Sequence, residues 1–167
     1  MNNLIIGRVW KYGSNINTDI ISPPKYMELK TEEAAKYCMD PIDPSFSAKF
    51  KKGDILVAEH NFGSGSSRET APLMLKHLGV DVIIAKSFAR IFYRNATNLG
   101  ILVIECSETD KIHDEDEISI NYTDGEIINK TKNEVYKCDK IPPHIMGLIS
   151  SGGLMAYLKE KVRTKNL

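Results

Sequence analysis

Residues 61–69, Asn-Phe-Gly-Ser-Gly-Ser-Ser-Arg-Glu, bring two adjacent hydroxyls, a guanidinium and several backbone N–H groups within a few positions of one another. An arginine can hold a carboxylate through two parallel hydrogen bonds, and free N–H groups at a helix start add the positive end of a dipole. In such a field a serine hydroxyl loses its proton more readily than in water, because fixed donors and positive charge stabilise the alkoxide. The segment could therefore clamp a carboxylate substrate with Arg68 and use a serine as a base. An architectural account fits the same spacing. Ser66-Ser67-Arg68-Glu69 matches a capping box, in which serine and glutamate satisfy N–H groups at a helix start and the glycines serve a tight turn. Spacing alone leaves both accounts standing.

Other chemistries fit less well. Gly63-x-Gly65 lacks the third glycine of a dinucleotide fingerprint, and no Gly-Lys-Ser/Thr follows. The segment is not a G-x-S-x-G elbow, and no histidine lies nearby to activate a serine for acyl transfer. Cys38, Cys106 and Cys138 contain no C-x-x-C pair, and His60, His77, His113 and His144 show no close ligand spacing. Neither a disulfide framework nor a self-contained metal or iron–sulfur site is indicated, so a required metal would come on another chain. With 22 Lys plus Arg against 22 Asp plus Glu, the chain offers no net field to gather nucleic acid or an anionic membrane. It has no apolar run long enough to span a bilayer and no secretory pattern at its start, which places it in the cytoplasm.

The elements that position the loop can be read from the pattern. With 167 residues, 42% of them hydrophobic, the chain suits a single domain over 1–167. Leu4–Tyr12 reads as a strand running into a turn-rich segment, Gly13–Lys25. Thr31 stands as the cap of a helix through Met39, with Glu32 and Glu33 in its first turn. Residues 55–58 form a short apolar strand, the glycine loop follows, and 68–78 reads as a helix closed by Gly79. A strand over 80–85, a helix from a Ser87 cap to Asn98 and a strand over 101–105 complete an alternation that implies a parallel layer. The loop then lies at the carboxyl end of a strand, where open α/β sheets bind ligands. From Glu117 short strands around Asp124-Gly125 suggest a small antiparallel layer. A final helical region from Pro142 is broken at Gly152-Gly153, and Arg163–Leu167 reads as a frayed tail.

Asn61–Glu69, together with Ala85-Lys-Ser-Phe-Ala-Arg-Ile-Phe-Tyr-Arg-Asn95, resembles the signature of the small subunit of 3-isopropylmalate dehydratase, in the aconitase superfamily. Asn17-Thr18-Asp19, Gly152-Gly153-Leu154 and Tyr157-Leu158 extend the likeness over nearly the whole chain. The resemblance implies a swivelling β/β/α domain, like the last domain of aconitase, closing over a [4Fe-4S] cluster carried by a separate large subunit. It makes Ser66 the general base, and Ser67 and Arg68 the residues contacting substrate carboxylate or hydroxyl groups. Asp19 falls at the family's Thr-Asp aspartate and Ser22 where aconitase has a serine, both on the substrate side. The implied reaction is dehydration and rehydration of a 2-hydroxy dicarboxylic acid, 3-isopropylmalate to 2-isopropylmalate in leucine biosynthesis, in a heterodimer or heterotetramer. A 2,3-dimethylmalate dehydratase, a homoaconitase small subunit and a non-catalytic binding domain of the same fold are the alternatives.

Two positions depart from the pattern. In relatives the loop after the Thr-Asp element, here Tyr26, Met27, Glu28 and Leu29, governs substrate choice. Glu28 stands where homoaconitase-like subunits have an arginine and isopropylmalate enzymes an apolar residue. A carboxylate there repels the additional carboxylate of a homocitrate-type substrate, while Met27 and Leu29 could line a pocket for a branched alkyl group. Thr70 replaces the usual histidine or glutamine. Arg90 and Arg94 could reach a cofactor or partner or simply face solvent, and Trp10, Phe88, Phe92 and Tyr93 fit core or interface.

Overall fold

The computed structural model describes residues 4–166. Its strands are Leu4–Lys11 (β1), Ile55–Val57 (β2), Val82–Ala85 (β3), Leu102–Glu105 (β4), Glu117–Asn121 (β5), Glu126–Asn129 (β6) and Glu134–Lys137 (β7). They form one sheet in the order β4-β3-β2-β1-β5-β6-β7. β1 joins two kinds of pairing. Its first five residues run antiparallel to β5, from Leu4 opposite Asn121 to Arg8 opposite Glu117, and its last three run parallel to β2, with Val9 opposite Ile55. β2, β3 and β4 continue in parallel, and β5, β6 and β7 in antiparallel.

Alternation along these strands supplies two cores. Trp10, Leu56, Ile83 and Val103 pack with helix and loop residues such as Ile21, Phe46, Leu75 and Phe92. Val9, Ile55, Val57, Ile84 and Ile104 point the other way and meet Ile118, Ile120, Ile127 and Tyr136 of the antiparallel half. The sheet therefore curls so that its two halves face each other, with helices on the far side of the parallel half. Every residue of β2 and β3 is buried, as expected of strands covered on both faces. The α/β reading, with a parallel layer plus a small antiparallel one in a β/β/α arrangement, holds.

The helices are Thr18–Ile21 (α1), Thr31–Ala34 (α2), Phe46–Lys49 (α3), Thr70–His77 (α4), Arg90–Asn98 (α5), Pro143–Ser150 (α6) and Leu154–Lys165 (α7). Four expectations need correction. The helix from Thr31 ends at Ala34 and passes into a 3-10 turn, and its cap position is Lys30, with no side-chain hydrogen bond. The bend lets Cys38 and Met39 bury, at 1% and 0% exposure. α4 starts at Thr70 rather than 68 and carries no side-chain cap. α5 starts at Arg90 with Ala89 before it, so Ser87 is not its cap. Helix continues to Lys165, so the segment from Arg163 is not frayed there; Leu167 lies outside the described residues.

Candidate functional site

Three loops leave the carboxyl ends of β1, β2 and β3 and bond to one another by backbone hydrogen bonds. Asn15 N–H donates to the carbonyl of His60, Gly63 N–H to Ile16 and Thr18 N–H to Ser64, each at 2.8 Å. On the other side Phe62 N–H donates to Ser87 (3.0 Å) and Ala89 N–H to Phe62 (2.9 Å), with a parallel bridge between Phe62 and Phe88. The segment after β2 is thus the middle member of a ladder that outlasts the strands. Ser87, expected as a helix cap, instead accepts the Asn61 N–H on its hydroxyl at 2.8 Å.

Close approach explains the glycines. At Gly63 (φ +82°) an added Cβ would lie 2.2 Å from Phe92 Cγ, and at Gly65 (φ +105°) one would lie 3.1 Å from Thr18 Oγ1. Both positions need the left-handed backbone that glycine adopts freely.

This ladder brings the β1 and β2 loops face to face. Ser66 Oγ lies 3.2 Å from Thr18 Oγ1. Arg68 Nη2 lies 3.1 Å from Asp19 Oδ1, with the arginine side chain 25% exposed and the aspartate 59%. Arg68 Nη1 is buried and has no hydrogen-bond partner among the described residues. No backbone carbonyl among them accepts from the N–H groups of Ser66, Ser67 or Arg68. Ser66 and Ser67 are exposed, so the site is an open surface. The capping-box account fails on this geometry, since the serine hydroxyl faces Thr18 and the helix begins beyond Glu69. A hydroxyl near N–H groups with no backbone acceptor among the described residues, on a loop that also carries a part-exposed arginine, can bind a carboxylate and hold an alkoxide.

Ser22 is 4% exposed and donates to Thr70 Oγ1 at 3.2 Å, which fastens α1 to the first residue of α4. The replacement at Thr70 thus has a structural partner in the chain. Tyr26 stacks on Tyr37, with ring centroids 3.8 Å apart and planes 8° from parallel, and anchors the loop. Glu28 is exposed, as are Met27 (53%) and Leu29 (41%), so the loop presents its apolar side chains outward. Arg90 and Arg94 are exposed, Phe92 is core, and Tyr93 is 38% exposed.

Sequence reasoning passed over Thr18, although it quoted the Asn17-Thr18-Asp19 element, because a buried threonine carries no chemical signal of its own. It also passed over Glu59. Burial works to raise the Glu59 carboxyl, and hydrogen bonds from Lys11, Thr109 and Lys86 outweigh it, leaving the group below its ordinary value. Lys86, paired with Asp110 and then Glu59, is raised above the ordinary lysine value. Among the described residues no group of three or more His, Cys, Asp or Glu could hold a metal ion.

A curled mixed sheet whose loops converge at its parallel strand ends defines the swivelling β/β/α class of domain. Residues 11–109 match the family model of the aconitase C-terminal domain. The chain is 50% identical, over 97% of its length and 98% of the relative's, to the isopropylmalate/citramalate isomerase small subunit of Methanocaldococcus jannaschii. It is 49% identical to the 3-isopropylmalate dehydratase small subunit of Aliarcobacter butzleri, over 96% of this chain and 98% of that one. A crystal structure of 3-isopropylmalate dehydratase from M. jannaschii superposes with a TM-score of 0.90 at 41% identity, covering 98% of this chain and 99% of the other. The chain belongs to the aconitase C-terminal domain family, among its 3-isopropylmalate dehydratase small subunits. No helix among the described residues is long and apolar enough to cross a membrane.

Proposed function

We propose that this chain is the small subunit of a hydro-lyase that isomerises 3-isopropylmalate and 2-isopropylmalate by dehydration and rehydration, a step of leucine biosynthesis. The observation that carries the reading is that one open loop holds both the Ser66 hydroxyl, 3.2 Å from Thr18 Oγ1, and an Arg68 guanidinium braced by Asp19 at 3.1 Å. Arg68, a quarter exposed, takes a substrate carboxylate on the exposed part of its guanidinium, and Asp19 orients the group through Nη2. Ser66 Oγ receives the proton from the carbon beside the carboxylate; that C–H electron pair forms the double bond as the C–O bond to the hydroxyl breaks. Rehydration adds water in the opposite orientation: Ser66 returns its proton to the carbon that lost the hydroxyl, and a hydroxyl adds to the carbon that lost the proton. The Thr18 hydroxyl and the N–H groups of 66–68 stabilise the serine alkoxide that takes the proton and that is left again once the proton has been returned.

Hydroxide is a poor leaving group at neutral pH, so a large subunit is expected to carry a [4Fe-4S] cluster that acts as Lewis acid toward the departing oxygen. The open surface at Ser66 and Ser67 is consistent with a site completed by that partner. Exposed Met27 and Leu29 offer apolar contact to the branched alkyl group, while the charge of Glu28 disfavours a substrate with an additional carboxylate there. The test is anaerobic reconstitution with the large subunit, followed by assay of 3-isopropylmalate, citramalate, 2,3-dimethylmalate, homocitrate and citrate. Highest kcat/KM on 3-isopropylmalate, with negligible turnover by the isolated chain, is the expected result. Full turnover by this chain alone would refute the two-subunit reading.

A further inference from the structure

Glu59 ties together the carboxyl ends of all four parallel strands. Its carboxylate lies 2.8 Å from Lys11 Nζ at the end of β1, accepts from Thr109 Oγ1 beyond β4 at 2.7 Å, and lies 3.4 Å from Lys86 Nζ beyond β3. Lys11 Nζ donates further to the carbonyls of Thr109 and Ile112, and Lys86 pairs with Asp110 at 3.0 Å. The Lys11, Glu59 and Lys86 side chains are 15%, 18% and 20% exposed, so water screens them weakly. Two ammonium groups face each other if the carboxylate is removed, which makes this junction sensitive to one charge.

The Glu59 backbone belongs to the same tie. Its N–H donates to the Gly13 carbonyl at 3.2 Å and its carbonyl accepts from Lys86 N–H at 3.0 Å. These are the first rungs of the ladder that ends at Ser66. The next rungs carry two left-handed asparagines, Asn15 (φ 60°) and Asn61 (φ 63°), joined by Asn61 Nδ2 donating to Asn15 Oδ1 at 3.2 Å.

We infer that Glu59 is a positioning residue for the Ser66–Arg68 site: it sets the register of the three loops at their base, and the ladder transmits that register to the Ser66–Thr18 and Arg68–Asp19 contacts. A site whose reacting groups must be held to a fraction of an ångström loses rate when the base of its loop shifts. The inference rests on the hydro-lyase reading above.

Wild-type, Glu59→Gln and Glu59→Asp small subunits, each assembled with the cluster-loaded large subunit, are to be assayed on 3-isopropylmalate, with amide exchange of residues 60–69 followed in the isolated subunits. Glu59→Gln is expected to lower kcat about tenfold or more with KM within about twofold, since binding groups stay present while their alignment fails. It is also expected to speed exchange in 60–69 above other segments, and Glu59→Asp is expected to recover part of the rate. Lys86→Gln serves as a second variant if Glu59→Gln does not fold, with a smaller loss in the same direction. Wild-type kcat in Glu59→Gln, or a loss explained wholly by weaker assembly with exchange in 60–69 unchanged, overturns the inference. Failure of the wild-type assembly on every hydroxy acid removes the functional reading instead, and the exchange data then decide whether Glu59 holds the loop.

Discussion

Ser66 Oγ and Thr18 Oγ1 stand 3.2 Å apart although 48 positions separate them in the chain. The contact joins the loop after β2 to the loop after β1, and it is the point at which the candidate base meets the Asn-Thr-Asp element. It also settles the competing account of Ser66 as a helix cap, since the hydroxyl is used across the loops.

Ser66→Ala removes the candidate base and one part-buried hydrogen bond. The assembled enzyme is expected to lose about 10²- to 10⁴-fold in kcat, while urea unfolding of the subunit shifts by less than about 1 kcal/mol. Near-normal turnover in the assembled variant would return Ser66 to a structural role.

Arg68→Lys keeps a positive charge and discards the planar fork. Loss of one charge-assisted hydrogen bond of about 1.5–3 kcal/mol corresponds to roughly a 10- to 150-fold fall in kcat/KM. Arg68→Gln should fall further. Steady-state kinetics that leave Arg68→Lys at the wild-type value would show that no bidentate carboxylate contact forms there.

Gly63→Ala forces a side chain against Phe92 and onto a left-handed backbone. Overpacking and the unfavourable φ together should cost roughly 2–5 kcal/mol. Thermal unfolding measures it; a midpoint unchanged within error would mean that Phe92 and the loop relax together.

Acid should destabilise the subunit through Glu59 and Asp116. Burial works to raise each, but partners hold Glu59 below its ordinary 4.5 and Asp116 below 3.8; for Asp116 these are the His113 N–H, Asn129 Nδ2 and Lys132. The folded state thus binds fewer protons than the unfolded chain, so this stability is fully present above the ordinary values and drains away as pH falls through the lowered ones. Urea titrations should show a loss beginning below about pH 5, and Asp116→Asn should flatten the steepest part of that limb.

Met27→Ala and Leu29→Ala remove apolar surface that is exposed in this chain, so the subunit should keep its stability. Loss of contact with a branched alkyl group is worth about 1–3 kcal/mol. The kcat/KM ratio of 3-isopropylmalate to citramalate should therefore fall about tenfold or more; an unchanged ratio would place the loop away from the alkyl group.

Much of the fold was legible because buried parallel strands such as Val82–Ala85, which follows the stop at Gly79, are unbroken apolar runs. Helix starts were not. Thr31, Ser66 and Ser87 all have the chemistry of a cap, yet none caps the helix assigned to it. Ser66 and Ser87 have better use for their hydroxyls across loops, with Thr18 and Asn61. Local pattern cannot weigh a cap against a partner dozens of residues away.

By itself the sequence determined the alternation of strands and helices, the family likeness, and the candidate chemistry of the Ser66-Ser67-Arg68 run, because these depend on residue type and short spacing. Only the tertiary structure decided that Asp19 takes Nη2 of Arg68, that Thr18 faces Ser66, and that Glu59 binds four strand ends together. Those relations arise from parallel strand pairing, which sets side by side loops whose residues lie far apart in the chain.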